Sequence, residues 1–504
     1  MVYMPESDRN IKEYKGIFKS TFLFGFVQVA RMLVGIIKNK FVAILLGPEG
    51  LGIISIYNNI INFLKTGAGL GVSQSAVKDV SEANALKDRS RFSHIINVTN
   101  KVVIFTSLLG LVLTIVLSPL LSQWGFHDNA HIWAFVFLSV AVAFDIYTEN
   151  KLAILKGMRQ LKSLAKASLI GTVVALVTGV PLFYIWGTRG IIPSIIISAL
   201  SAMLVALYFI SKIDYEKQSV SAKVALKEGA PMVKMGISLM ASNFLSFFFN
   251  IVIVSYIQKT NGLADVGYYN AGMVLVVTYF SMVTTALNTD YYPRIASKSN
   301  DNQQLEEEVF RQSGVGLLLM FPLVILFVLF SPFIIQLLYS KDFSAVSNYT
   351  DIAIIGIVVS VVSNCFGYLF IVKRESKLYL WTSVFFNTFF IPVFIVLYKF
   401  FGLTGLGVAY ALDVLSQLLL YVFLAKRKYN ISPRVKTVVE LVFIIALILV
   451  SSSVRKIPVL WLRYSIFILL IVLSIGFSLR DMKKTMGIDA KTVVNNYINK
   501  RFKK

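Results

Sequence analysis

The chain has 504 residues, 56% hydrophobic and 15% charged, and its 49 Lys and Arg outnumber its 26 Asp and Glu, leaving a net charge of +23. A soluble protein carries roughly 25% charged residues, so this composition excludes an ordinary soluble domain. The single cysteine, Cys365, excludes an internal disulfide and a thiolate metal cluster, and there is no GxxxxGK[ST] loop for ATP hydrolysis.

In chain order, the polar start "MVYMPESDRNIKEYKG" contains acids and is followed by an apolar run too long for the core of a signal peptide. That run is the first of fourteen expected spans, at about 17–46, 51–77, 92–119, 131–152, 164–186, 190–211, 232–257, 263–290, 311–338, 350–372, 378–400, 404–425, 437–454 and 460–479. The expected fold class is therefore an all-α membrane protein with 14 transmembrane helices. The connections alternate in charge. One set, including 78–91, 151–166, 212–234 and 480–504, holds 37 of the 49 Lys and Arg. The opposite set holds seven: Arg189, Lys259, Lys341, Lys399, Arg455, Lys456 and Arg463. The positive-inside rule places both termini in the cytoplasm. It also accounts for most of the net charge, whose partners are membrane lipids with anionic headgroups and not nucleic acid.

An internal repeat runs at an offset of 215 residues. "GTRGIIPSIIISALSAMLVALYFISK" (187–212) lies over "GLTGLGVAYALDVLSQLLLYVFLAKR" (402–427) without a gap, and Arg159/Arg374, Lys162/Lys377 and Gly52/Gly267 coincide at the same offset. Each repeat holds six spans. An even number inserts both halves the same way up, the parallel-repeat design of secondary transporters, whose substrate site lies between the halves. The expected domains are a six-helix lobe at 1–211, a cytoplasmic amphipathic linker at 212–230, a second six-helix lobe at 231–428, two additional transmembrane helices within 437–480 and a basic cytoplasmic tail at 481–504. The outward loops are short, "GPEG", "GTRG" and "KTNG" among them, and leave no room for an outer catalytic domain.

Charged and polar residues form stripes on the early helices. Gln28, Arg31 and Lys38 share one face of the first helix, and Asn58, Asn62 and Lys65 one face of the second. Lys65 lies 14 residues past Leu51, which is about 21 Å along the helix. Asn97 and Lys101 pair on the third helix, and Asn243, Ser246 and Asn250 line the seventh. One basic residue at a helix centre costs about 2.5–3.5 kcal/mol for insertion, so these stripes face protein or water, not lipid. A buried ion pair is the alternative for Arg31 and Lys65, and snorkelling to the interface for Lys38 and Lys40. The offset equivalents of Arg31, Lys65 and Lys101 are Ser246, Phe280 and Gly316, so the basic character belongs to the first half. Acids are fewer: Asp145 and Glu149 one turn apart on the fourth helix, Asp290 and Asp413. These are the candidates to bind a coupling proton or sodium ion; Asp145 and Glu149 could instead neutralise Lys101 or Lys151. No other cofactor is indicated. A site richer in Arg and Lys than in acids suits an anion, and the Arg fork suits phosphate.

"FVAILLGPEGLGIISIYNNIINFLKTGAGLGVSQSAVKDV" (41–80) and its echo "GLADVGYYNAGMVLVVTYFSMVTTALNTDYYPRIAS" (262–297) resemble polysaccharide flippases of the multidrug/oligosaccharidyl-lipid/polysaccharide exporter superfamily. The chain is most similar to its O-antigen and enterobacterial common antigen lipid flippases, and the resemblance covers nearly the whole length. It implies a flippase, not an enzyme, in a bacterial inner membrane, serving polysaccharide and lipopolysaccharide biosynthesis. The implied substrate is an undecaprenyl-diphosphate-linked glycan, moved outward by ion-driven alternating access, with polysaccharide-assembly proteins as partners. It also implies that early basic residues hold the diphosphate, with Arg31 and Lys65 in comparable places and Lys101 beside them. Gln28, Asn58, Asn62, Asn243 and Asn250 would supply neutral groups for the sugars. A multidrug antiporter of the same superfamily is the main rival; it is expected to show twelve spans and an acidic cavity. A major-facilitator transporter and a membrane-embedded polysaccharide-assembly enzyme are weaker rivals.

Overall fold

The computed structural model describes residues 6–86 and 88–486, without the side chains of 6–26, 28, 85, 86, 289, 290, 376 and 484–486. The basic tail is therefore described only to Met486. The helices in chain order are α1 (Glu6–Ala68), α2 (Val72–Leu86), α3 (Arg89–Phe126), α4 (Ile132–Gly157), α5 (Leu161–Trp186), α6 (Ile191–Ile210) and α7 (Ala222–Asn261). They continue with α8 (Leu263–Met273), a π-helical turn Val274–Thr278, α9 (Tyr279–Ala296), α10 (Asn302–Leu338), α11 (Val346–Val372), α12 (Ser376–Tyr429), α13 (Val435–Val454) and α14 (Leu460–Met486). No strand occurs among the described residues.

Ten helical runs among the described residues are long and apolar enough to cross a membrane. Two of them, Leu161–Ile210 and Lys377–Tyr429, have 50 and 53 residues. At 1.5 Å per residue each spans more than twice a hydrocarbon core of about 30 Å. Each is broken at a glycine: Gly187 sits at φ 55° and Gly402 at φ 56°, a backbone that a side chain resists. α1 breaks in the same way at Gly47, and Pro48 then opens the second helical stretch, where its missing N–H is no loss.

The 215-residue repeat is visible atom by atom. A Cβ on Gly190 would lie 2.3 Å from the Leu182 carbonyl oxygen, and one on Gly405 would lie 2.0 Å from that of Leu397, the offset equivalent. Arg159 and Arg374 both take left-handed φ values, 56° and 60°. Each closes the same helix-ending turn: Gln160 N–H donates to Leu155 O at 2.9 Å and Arg159 N–H to Lys156 O at 3.0 Å, matched by Glu375 to Phe370 at 2.8 Å and Arg374 to Ile371 at 3.1 Å. A reciprocal contact completes the pattern. A Cβ on Gly52 would meet Leu263 O at 2.1 Å, and one on Gly267 would meet Pro48 O at 2.0 Å. Pro48 and Leu263 are themselves equivalent, so the contact is self-complementary, as at a two-fold axis. The fold is all-α among the described residues, and the 215-residue repeat holds in its turns and glycine contacts.

The chain packs as two compact units, Met1–Gly267 with Leu338–Ser340, and Tyr268–Leu337 with Lys341–Lys504. In unit 1, α3 packs on α4, α5 on α6 and α1, and α7 on α1, α2 and α3. α7 opens the second repeat by sequence yet packs with the first. The linker before it has neither helix nor strand from residue 214 to residue 221 and becomes helical at Ala222, where the Ser221 hydroxyl accepts from Val224 N–H. It is fastened to α3: Arg89 pairs with Asp214, Asn97 Nδ2 donates to Glu216 O at 2.7 Å, and His94 Nε2 lies 2.6 Å from Glu228. In unit 2, α11 is the most deeply buried span and packs against α12 and α13.

Candidate functional site

In unit 1, α1 and α4 bring three of the expected residues together. The Lys65 ammonium lies 3.8 Å from Glu149 Oε2, with side chains 25% and 50% exposed. Asp145, one turn earlier on α4, is partly buried within electrostatic reach of both. At 3.8 Å the contact is longer than the 2.7–2.9 Å of a charge-assisted hydrogen bond, so Lys65 keeps donors for another anion. Of the two lysines expected as alternative partners of Asp145 and Glu149, Lys151 is engaged elsewhere. Lys151 is 3% exposed, donates to Asn100 Oδ1 and covers the Tyr147 ring at 4.4 Å, while the partner of Glu149 is Lys65.

The other expected residues lie around this cluster or apart from it. Arg31, Lys38 and Lys40 are partly buried on α1, and Lys101 on α3. Asn58 is exposed and Asn62 partly buried. Beside Asn62 and Asn243, Phe63 stacks on Phe244 at 4.6 Å, which seams α1 to α7. Asn243 is exposed and Asn250 partly buried on α7. The side chains of Gln28 and Asp290 lie outside the described residues. Asp413, on α12 in unit 2, is partly buried, and its Oδ1 has no hydrogen-bond partner among the described residues.

Two groups escape a reading by sequence alone. Asn150 is fully buried beside Lys151, and neither of its amide atoms has a partner among the described residues. Arg455, expected in an outward loop, closes a buried network in unit 2. Its Nη1 donates to Asp351 Oδ1 at 3.1 Å and to Val328 O at 3.0 Å, and Nη2 also donates to Asp351. Ser331 and Ser452 donate to the same carboxylate at 3.0 Å each. The network pins the end of α13 to α10 and α11. No sequence period marks this pair, which is 104 residues apart. Among the described residues no group of His, Cys, Asp and Glu could hold a metal ion.

The half-open Lys65–Glu149 pair sits on an all-α scaffold with ten runs apolar enough to cross a membrane. Residues 41–348, more than half of the chain, match the polysaccharide biosynthesis protein family. The chain belongs to that family. The chain is similar to the "Lipid III flippase" of Escherichia coli (strain K12), 24% identical over 367 residues that make up 69% of this chain and 84% of the relative. The protein of the same name from Shigella flexneri matches equally. Among solved structures, an inward closed conformation of the lipid II flippase MurJ superposes with a TM-score of 0.70 at 14% identity, covering 92% of this chain and 99% of that one. An inward-facing MATE multidrug transporter superposes with a TM-score of 0.60 at 15% identity, covering 79% and 94%. These likenesses show the fold of the chain. The fold is shared by flippases and drug transporters, so the substrate has to be argued from the site.

Proposed function

We propose that the protein is a flippase that moves an undecaprenyl-diphosphate-linked oligosaccharide from the inner to the outer leaflet of a bacterial inner membrane, by alternating access. The observation that carries this reading is Lys65. A lysine about 21 Å into a span is costly unless it serves a charge. Its carboxylate partner is loose and half-exposed, so a diphosphate can compete for the ammonium. Arg31 on the preceding span adds a fork that binds two phosphate oxygens. The polyprenyl tail stays in lipid, and only the head needs a polar path. A drug antiporter, which exports organic cations, has no use for these cations, and the family match supports the polysaccharide pathway.

Both termini are proposed to face the cytoplasm, where the loops rich in Lys and Arg lie. Asp145 and Glu149 are the proposed coupling acids: a proton or sodium ion bound there frees Lys65 for the phosphate, and its release lets the pair reform. O-antigen or a related glycan is the proposed cargo. The test is reconstitution of the full chain into liposomes carrying undecaprenyl-diphosphate-linked oligosaccharide in one leaflet. Transfer to the other leaflet, faster with a proton or sodium gradient, is expected. Asp145→Asn and Glu149→Gln should abolish the gradient effect. No transfer above protein-free liposomes would overturn the reading.

A further inference from the structure

Unit 2 holds a second polar site. A cavity of about 450 Å³ opens at α9 and α11, lined by Thr285, Asn288, Tyr292, Pro293, Tyr368 and Ile371. That volume lies within the roughly 300–1,000 Å³ of ligand pockets. A smaller recess shares Asn288 and adds Thr284, Gln312 and Asn364. No charged side chain lines either space among the described residues. Gln312 is already held: it accepts from Arg294 Nη2 at 2.8 Å and donates to Leu287 O at 3.0 Å. Asn288 and Asn364 are partly buried, and neither amide makes a side-chain hydrogen bond among the described residues. Tyr292 is 42% exposed, with its ring centre 5.9 Å from that of Tyr368.

The repeat gives this pocket its meaning. At the 215-residue offset Asn364 stands where Glu149 stands in the first half, and Gln312 where Asn97 stands. Phe280 replaces Lys65, Gly316 replaces Lys101 and Ser360 replaces Asp145. One place in the fold is thus charged in the first repeat and, among the described residues, neutral but still polar in the second. A neutral pocket cannot compensate a phosphate. It can pair with hydroxyls, because an Asn amide offers two donors and an acceptor, and the tyrosine rings offer an apolar face to the C–H face of a pyranose.

We propose that this pocket binds uncharged sugar residues of the glycan, with Asn288 and Asn364 as the specificity-determining side chains. The proposal rests on the flippase reading above. The test uses the full chain in lipid nanodiscs and two probes, undecaprenyl diphosphate and undecaprenyl-diphosphate N-acetylglucosamine. The native protein should bind the sugar-bearing lipid more tightly. Asn288→Leu and Asn364→Leu should each cut that preference about five-fold, the size of one net hydrogen bond, and leave affinity for the bare carrier unchanged. Asn364→Glu, which restores the first-half residue, should cut it too, whereas Asn364→Gln should keep it. If a leucine variant no longer binds the bare carrier, Asn288→Ser decides, since a hydroxyl cannot span two sugar oxygens; full preference there overturns the proposal. So does a native protein without preference, or leucine variants that keep it, and in those cases the flippase reading stands. A native protein that binds neither lipid overturns the flippase reading, and the sugar pocket falls with it.

Discussion

The two units each hold an ion pair between helices, and hold it differently. In unit 1 the Lys65–Glu149 pair is long, 3.8 Å, and half-open. In unit 2 the Arg455–Asp351 pair is two-pronged, braced by Ser331 and Ser452, and its side chains are only 12% and 2% exposed. A closed, braced pair supports the fold, because removing either partner leaves a buried charge alone. An open pair with spare donors can exchange partners. The difference teaches that an ion pair inside a membrane protein is read by its geometry and its exposure, and that its presence alone says little about function.

Breaking the closed pair should have the largest effect. Arg455→Ala or Asp351→Ala should lower stability by about 3–5 kcal/mol, seen as a lower unfolding temperature in detergent. Replacing both with apolar residues should recover most of it. The contact between repeats comes next. Gly52→Val and Gly267→Val should each cost about 1–3 kcal/mol through overpacking, and by nearly equal amounts, because each new side chain meets an equivalent carbonyl. Unequal losses would show that the two-fold contact is not shared evenly. Opening the unit 1 pair further should act on binding and not on folding. Glu149→Gln removes a loose, exposed pair worth at most about 1 kcal/mol, so undecaprenyl diphosphate should bind up to about five-fold tighter with an unchanged unfolding temperature. The smallest effect is expected outside the membrane, at Asp301 before α10. Its carboxylate accepts from Gln304 N–H at 3.1 Å and Gln303 N–H at 2.9 Å. The Gln304 bond leads in holding its pKa below the usual value. Its contribution is therefore present above about pH 3.9, the ordinary value, and is lost as pH falls through the lowered one. Asp301→Ala should produce a slight loss of stability at neutral pH that vanishes in strong acid.

Much of the fold was legible in the sequence because its causes are local. Apolar length sets the spans, and Gly47, Gly187 and Gly402 mark breaks that need a positive φ. The coincidence of Arg159 and Arg374 at the 215-residue offset foretold matching turns, and the two make the same one. The packing of α7 with the first repeat was not legible, since it depends on which helices meet. The site was half legible. Stripes placed Lys65 and the pair Asp145 and Glu149 on their helices, but only the packing of α1 on α4 shows that they meet. Lys151 looked like a loop cation from its place in the charge pattern, and its burial comes from the tertiary fold. Asn364 could have been found by asking what the offset sets against Glu149; comparing only the basic residues leaves it out.

The most direct test of the central claim, that Arg31 and Lys65 of unit 1 hold a lipid-linked diphosphate, is surface delivery of glycan in cells whose own lipid-linked oligosaccharide flippase has been deleted. Antibody binding to surface glycan would be measured for the native chain, Arg31→Ala, Arg31→Lys and Lys65→Ala, with membrane protein levels followed in parallel. A contact to a charged group is typically worth about 1.5–3 kcal/mol, or roughly ten- to a hundred-fold. Arg31→Ala and Lys65→Ala should therefore lose at least about ten-fold in delivery at unchanged protein level, and Arg31→Lys should recover only part, since it lacks the two-oxygen fork. Full delivery by both alanine variants would contradict the account.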